Sequence, residues 1–258
     1  SLVGAFEVFD AVSSGQADMY HSADYYFLNQ HPGFAFFTAV PFGMTGQEFA
    51  NWYYNRGGHE LHNELAGLFN LKSFTCGNTA MQPGGWFNKE INSADDLQGL
   101  RFRMPGQGGQ VLGRLGASVQ NIPGGEIYQA LASGQIDGAE WIGPFADERM
   151  GFQEATSIYY TAGFHEPGSA LSANVNLDVW NDLSEDDRAA IEAVAKELEP
   201  SFWEVSRQGD LNSIAIMSEN GMQLVPLSDE FKAQIAERAL REDPRVAWVS
   251  STVGVPRN

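Results

Sequence analysis

The amino-acid sequence predicts an α/β fold of two lobes facing a hinged cleft, with a parallel or mixed sheet in each lobe and a helical C-terminal part. Three observations predict it. Residues 9–20, FDAVSSGQADMY, and residues 128–139, YQALASGQIDGA, write nearly the same phrase 119 residues apart. Strand and helix patterns alternate around the second copy, and such alternation builds βαβ units and a parallel sheet. Stretches rich in glycine and proline separate the two neighbourhoods, which marks them as crossings between lobes.

Each copy of the phrase reads as helix, stop and strand. In the second, Ala130 and Leu131 continue an apolar stripe from Ile127 at i, i+3, i+4 spacing. Gly134 stands where a helix closes through a left-handed residue, and QIDGAEW (135–141) then suits a strand. In chain order, the first lobe opens on the helix GAFEVFDAVSSG (4–15) and a strand within ADMYHSADYYF (17–27). An aromatic-rich loop, helices near 45–57 and 59–68, and the strand LKSFTCGNTAM (71–81) come next. Gln82-Pro83-Gly84-Gly85 reads as the first crossing. Beyond it come LRFRMP (100–105, strand), GQGGQVLGRLGA (106–117, glycine loop opening a helix), SVQNI (118–122, strand) and PGGEIYQALASG (123–134, helix). A second crossing is expected after Trp141, and SIYYTAGFHEPGSALSANVNL (157–177) is expected to run back. The remainder is helical, with Ser184 and Asp187 as a capping box for DRAAIEAVAKELE and Ser228 as a cap for EFKAQIAERALRE. The resulting division is lobe I over 1–81, lobe II over 82–140, a return to lobe I over 141–165, and lobe II with the C-terminal helices over 166–258. Parity adds one expectation. Strand, helix and strand (100–122) precede the phrase in lobe II, whereas lobe I reaches it almost at once, so a first β-α-β segment of lobe I is expected to be missing from this sequence.

Composition narrows the function classes. A chain of 258 residues, 43% hydrophobic and 19% charged, fits a soluble globular protein that buries roughly three quarters of its unfolded surface. With 33 acidic against 15 basic residues, the net charge of −18 repels nucleic acid and anionic membrane surfaces. The longest apolar run, FAFFTAVPF (34–42), contains a proline and is far short of the ~20 residues that span a bilayer, so no membrane insertion is expected. Cys76 is a single cysteine within an expected strand and reads as a small buried residue.

Ligands of open α/β sheets bind beyond the carboxyl ends of the strands, and that rule selects residues. Arg103 lies near the end of LRFRMP just before a helix start, where a guanidinium beside bare backbone N–H groups makes a carboxylate or phosphate site through a bidentate pair, with a strand arginine paired to a surface acid as the alternative. Arg101 reads as a strand arginine paired with a surface acid. The GQGG run lacks the third glycine of the dinucleotide fingerprint, since that position is Val111. Glu140 and Trp141 end QIDGAEW, Glu166 sits in GFHEPG and Gln82 at the first crossing; oxygen-bearing side chains gathered at a hinge suit a cleft cation, although solvated acids are the plainer reading in so acidic a chain. His59 and His62 lie three apart, off the HExxH spacing, and read as a solvated helix face. No GxSxG or Ser-His-acid order supports covalent hydrolysis. Tyr25 and Tyr26 are pocket candidates, while Phe34, Phe36 and Phe37 read as core.

EVFDAVSSGQADMYHSADYY, FAFFTAVPFGM, AMQPGGWFNKEI, DLQGLRFRMPGQGGQVLGRLGAS, IPGGEIYQALASGQIDGAEWIGPF and GFHEPG together resemble the substrate-binding proteins of tripartite ATP-independent periplasmic (TRAP) transporters, closest to the branch that binds 2-oxo and 2-hydroxy monocarboxylates with a cation. The resemblance runs from about Glu7 to about Glu199. It implies a two-lobed periplasmic solute-binding fold, periplasmic location, capture of a small carboxylate, delivery to TRAP membrane permease subunits, and no catalytic residues or coenzyme. It also implies that Arg103 pairs with the ligand carboxylate; Gln82, Glu140 and Trp141 are expected beside it, together with the pocket candidates Tyr25 and Tyr26. Gln82, Glu140, the Trp141 carbonyl and Glu166 are the implied cation ligands.

Charge counting bears on the ion. Arg103, the two glutamates and a monocarboxylate leave two net negative charges, which calcium cancels and sodium halves; the resemblance allows either, and a proton shared on one glutamate is a third balance. Members of this branch can end in a long helix exchanged between dimer partners, whereas DPRVAWVSSTVGVPRN (243–258) has no helical pattern, so the expectation is a monomer or a homodimer. Rival readings are a receptor for a dicarboxylate or sugar acid, and a metal-dependent enzyme on 2-oxoacids with His165 as its base.

Overall fold

The computed structural model describes residues 2–242, without the side chains of residues 199, 200, 203 and 239–242. The C-terminal stretch 243–258, on which the dimer expectation rests, lies outside the described residues. Strands β1 (Met19–Ser22), β2 (Leu71–Asn78) and β8 (Ala170–Asn176) make one sheet in the order β1-β8-β2. Strands β3 (Gly85–Phe87), β4 (Arg101–Arg103), β5 (Ser118–Gln120), β6 (Gly138–Ala139), β7 (Ile158–Tyr160) and β9 (Gln223–Val225) make a second, in the order β5-β4-β6-β3-β7-β9.

The repeated phrase folds alike in both places. Helix α1 (Val8–Ser13) stops at Gly15 with φ +77°, and helix α5 (Gly124–Ala132) stops at Gly134 with φ +69°. This left-handed backbone is free for glycine and costs any residue with a Cβ. The closing hydrogen bonds match as well. Gly15 N donates to Val12 O and Ala17 N to Ala11 O (3.0 and 3.1 Å), just as Gly134 N donates to Leu131 O and Ile136 N to Ala130 O (3.1 and 3.2 Å).

Sheet pairing separates the two units. In the second sheet β4 runs parallel to β5 and β6, while β3 is antiparallel to β6 and β7, so the sheet is mixed as expected. In the first, β8 lies between β1 and β2 and pairs antiparallel with both, which corrects the expected parallel or mixed pairing there. The reason is connectivity: β8 enters directly from the second unit instead of through a crossover helix.

Strand membership also revises the division along the chain. The segment 141–165 does not return to the first unit, since its strand β7 belongs to the second sheet, and 166–258 contributes β8 to the first sheet before β9 joins the second. No crossing comes directly after Trp141; besides the later return between β8 and β9, the crossings are 79–84 and 161–169. These two segments run side by side, with Thr79 N donating to Ser169 O, Gln82 N to Glu166 O and Gly84 N to Tyr160 O, each at 2.9 Å.

Local signals explain the remaining helices. Thr45 and Glu48 form a full capping box on α2 (Gly46–Asn55), and α3 (Gly58–Gly67) comes immediately after it. The GQGG run is itself the first turn of α4 (Gly106–Arg114) and not a loop. Short helices α6 (Pro144–Arg149), α7 (Phe152–Ala155) and α8 (Leu177–Asp182) lead to α9 (Glu185–Glu219), capped by Ser184 as expected. The predicted helix over 187–199 runs on through Pro200 to Glu219. Packing at both ends supports that continuity against the loss of one backbone bond. Lys72 of β2 faces Glu192 at 3.9 Å, and beyond the proline Ser213 donates to Glu148 of α6 at 2.6 Å. Ser228 caps α10 (Asp229–Glu242) through Phe231 N at 3.1 Å.

Buried apolar clusters cover both faces of the second sheet, one around Leu100, Phe102 and Leu112 and the other around Trp86, Ile127 and Tyr159. Each such side chain contributes about 1.5–3 kcal/mol on burial. Around the first sheet, Phe9, Phe34 and Leu71 are buried together, and Phe37 packs with Tyr53. Phe36 departs from the expected core and is 44% exposed. Cys76 sits half-buried at a β-bulge between Thr75 and Gly77.

Candidate functional site

Three pieces of chain converge between the two sheets. At the carboxyl ends of the second sheet, β4 ends on Arg103, in register with Ala139 of its parallel neighbour, so Glu140 and Trp141 emerge beside it. Glu140 N donates to Arg103 O at 3.2 Å. The paired crossings bring Gln82 against Glu166, with His165 next to it. From the first unit, β1 leads into a 3-10 turn (Asp24–Phe27) that carries Tyr25 and Tyr26. All seven sequence-selected residues therefore share one site.

Arg103 is fully buried and heavily committed. Its Nη1 donates to Glu140 Oε1 at 2.5 Å and to the Glu140 carbonyl at 2.9 Å, Nε donates to Ile122 O at 3.1 Å, and Nη2 to the Tyr26 hydroxyl at 2.8 Å. The Trp141 ring lies 5.0 Å from the guanidinium carbon, within cation–π range. Four of the five N–H groups are thus engaged, and one on Nη2 remains. This corrects the expected bidentate fork: Glu140 and Tyr26 hold the positions that such a pair needs.

Beside this pair lies a knot of acids. Glu140, His165 and Glu166 are buried, and each presents a ligand atom within 4.8 Å of the others. Glu140 Oε2 is 3.3 Å from His165 Nε2, an ion-pair distance outside hydrogen-bond alignment. Burial, then the charge of Glu140, push the Glu166 carboxyl up from its ordinary value. Burial alone would lower His165, but Glu140 and then Glu166 outweigh it and the net direction is up. Gln82 is also buried, its Nε2 donating to Thr79 Oγ1 at 2.9 Å.

The side-chain oxygens Gln82 Oε1, Glu140 Oε2 and Glu166 Oε2 are buried and have no hydrogen-bond partner. Buried oxygens of this kind are costly unless something electropositive meets them. Their chemistry, two carboxylates and an amide, is the donor set of a hard cation, so the residues fit the implied ion.

Tyr25 closes the site from the first unit. Its ring packs on the first residue of α4, where a Cβ on Gly106 would overlap it. Glycine at this position lets the two units meet, with Gly106 at φ +64° besides. Burial raises both tyrosine hydroxyls, that of Tyr26 against the opposing pull of Arg103. A cleft of about 380 Å³ opens beside them, lined in part by Tyr25, Tyr26, Gln82, Trp141, Ile142 and Leu171.

Part of the arrangement has no clear signal in the sequence. His165 is selected there only as the base of the enzymatic alternative; its adjacency to Glu166 is the available signal. The Ile122 carbonyl and Thr79 carry none, because a backbone acceptor and a strand-end threonine are indistinguishable from many others. Arg101 pairs with Asp137 on the surface, Nη2 to Oδ1 at 2.5 Å, away from this site. His62, expected on a solvated face, is fully buried.

Comparison with known proteins identifies the family. The family model of bacterial extracellular solute-binding proteins, family 7, matches residues 1–242. A monocarboxylate 2-oxoacid-binding periplasmic protein of Nostoc sp. is 42% identical over 231 residues, covering 89% of this chain and 63% of the relative. The chain thus spans less than two thirds of that relative's length. Among solved structures, a TRAP periplasmic solute-binding protein of Pseudoalteromonas atlantica with bound sodium and pyruvate has a TM-score of 0.89 at 35% identity, covering 96% of this chain and 78% of that one. A counterpart from Colwellia psychrerythraea with bound calcium and pyruvate has a TM-score of 0.88 at 38% identity, with the same coverage.

Proposed function

The chain belongs to the family-7 bacterial extracellular solute-binding proteins, and from that premise we propose that it is the periplasmic receptor of a TRAP transporter, capturing a small 2-oxo or 2-hydroxy monocarboxylate such as pyruvate or lactate through a bridging cation. One observation carries the reading: three buried oxygens without a hydrogen bond, from Gln82, Glu140 and Glu166, lie on the segments that converge with the fully buried Arg103. Such a site attracts a positive ion and, once neutralised, an organic anion. The relatives with bound sodium or calcium and pyruvate support it.

In this mechanism Gln82, Glu140, Glu166 and the Trp141 carbonyl would hold the ion, which would supply positive charge to offset the ligand's anionic group. Arg103 offers its remaining Nη2 hydrogen to the carboxylate, and its pair with Glu140 keeps both side chains extended toward the cleft. Tyr25 and Tyr26 close over the ligand and exclude water. The loaded receptor passes its ligand to the TRAP membrane permease. Among the described residues no helix is long and apolar enough to cross a membrane.

The protein does no chemistry on its ligand. The nearest candidate base is His165, which is buried with its Nε2 3.3 Å from Glu140 Oε2. Titration calorimetry with pyruvate, lactate, a dicarboxylate and a sugar acid, each with calcium, with sodium and with neither, tests the proposal. Binding of pyruvate or lactate only when a cation is present is expected. Selective binding of the dicarboxylate, or conversion of pyruvate to a product on prolonged incubation, would overturn it.

A further inference from the structure

A second buried polar assembly lies behind the tyrosines, away from the cation cluster. Asp24 and His62 are both fully buried, with Asp24 Oδ2 3.0 Å from His62 Nε2. That contact has ion-pair distance, and the Nε2 atom is outside hydrogen-bond alignment. The same Oδ2 accepts the Ser172 hydroxyl at 2.6 Å, and Oδ1 is 3.4 Å from Asn174 Nδ2, both on the central strand β8. On its far side, His62 Nδ1 shares a hydrogen bond with the Tyr53 hydroxyl of α2 at 3.0 Å, and its ring stacks on Phe37 at 4.2 Å. Asp24 thus links β8, α3 and α2 inside the first unit.

Asp24 is also the first residue of the turn whose next two residues reach the site. Tyr25 N donates to the buried Thr38 Oγ1 at 3.2 Å, which fixes the following step of the backbone. One residue further, the Tyr26 hydroxyl accepts from Arg103. A 3-10 turn of four residues has little rigidity of its own, so the position of its side chains depends on how its start is held.

We propose that the Asp24–His62–Tyr53 assembly is a positioning element for the ligand-facing tyrosines, setting how far Tyr25 and Tyr26 project toward the second unit and hence how the cleft closes on its ligand. This rests on the receptor reading above. The chemistry suits an acid: Asp24 accepts from the Ser172 hydroxyl on Oδ2 and faces Asn174 Nδ2 with Oδ1, where an amide nitrogen would set a donor against a donor. None of the three side chains is a proposed ligand contact. They act through Tyr26.

Two measurements test this. With pyruvate and calcium, Asp24→Asn and Tyr26→Phe should each weaken binding about fivefold, and the double variant no more than about fivefold, because both remove one geometry. A purely structural role predicts independent losses, about twenty-five-fold together, and that outcome overturns the proposal. The second readout needs no ligand. Hydrogen exchange of the Tyr25 amide should accelerate at least tenfold in Asp24→Asn while amides of the second sheet keep their wild-type protection. Unchanged exchange at Tyr25 overturns the proposal even if the protein binds some other ligand; failure of wild type to bind pyruvate with these exchange changes intact sinks the receptor reading alone. Tyr53→Phe removes one hydroxyl outside the cleft and carries the test if Asp24→Asn does not fold, with the Tyr25 amide again expected to exchange faster.

Discussion

After Gly15 the chain enters β1 and then presents Tyr25 and Tyr26; after Gly134 it enters β6 and then presents Glu140 and Trp141. The backbone device is the same in both places, down to the hydrogen bonds that close the helix. The side chains presented past each strand differ. The first unit contributes neutral hydroxyls and aromatic surface, whereas the second contributes Arg103 and Glu140, fully buried charges held in register at adjacent strand ends. Each delivery also has an aspartate behind it. Asp24 ties the tyrosine turn to β8, and Asp147 accepts Ile142 N and Gly143 N, both at 3.1 Å, pinning the segment that leaves Trp141. The difference teaches that the strand–helix scaffold places a site, and that the few residues at and just past the strand ends decide what the site can hold.

If the charged face anchors the ligand and the aromatic face closes over it, substitutions on the second unit should cost more. Arg103→Lys is expected to have the largest effect, a loss of pyruvate affinity of about a hundredfold, or about 2.7 kcal/mol. An ammonium cannot serve Ile122 O, Glu140 and Tyr26 in one plane while also meeting a carboxylate. Arg101→Lys on the same strand should leave the affinity within about twofold, and calorimetry on the two variants separates them. Next come Glu140→Gln and Glu166→Gln, each expected to weaken cation-dependent binding by about tenfold or more. Glu140→Gln should be the worse, because it also leaves Arg103 unpaired. Pyruvate affinity that survives exhaustive removal of calcium and sodium would take the cation out of the mechanism.

The third prediction concerns Asp147. Burial pushes its carboxyl from 3.8 up to about 7, against the lowering effect of the Trp86 indole N–H at 2.8 Å. Since the folded state holds this proton more tightly than the unfolded chain, its contribution to stability is greatest below 3.8, declines as pH rises, and is lost above about 7. Between about pH 5 and pH 8, wild type should therefore lose roughly 2 kcal/mol relative to Asp147→Asn. Urea unfolding at the two pH values measures it; a parallel response of both proteins would show that Asp147 is ionised throughout. The smallest effect is expected from Tyr26→Phe, about fivefold in affinity, or about 1 kcal/mol, for one hydroxyl on a charged partner. A loss matching that of Arg103→Lys would break the comparison, placing the anchor on both faces equally.

The sequence by itself determined most local elements and selected the candidate site residues. Helix, left-handed glycine and strand were readable at Gly15 and Gly134 because backbone conformation there depends on one residue's missing Cβ. Arg103, Glu140, Gln82 and Glu166 were selectable because strand ends and crossings are local signals, and the family motifs reinforced them. Only the tertiary structure decided which unit each segment joined. Strand pairing is non-local, and nothing within SIYYTAGFHEPGSALSANVNL says that its first strand pairs with β3 and its second with β1 and β2. The same holds for electrostatics. His62 and Glu166 are ordinary polar residues along the chain, and become an acid's buried partner and a raised carboxyl only when folding strips away water and brings another charged group within a few ångströms.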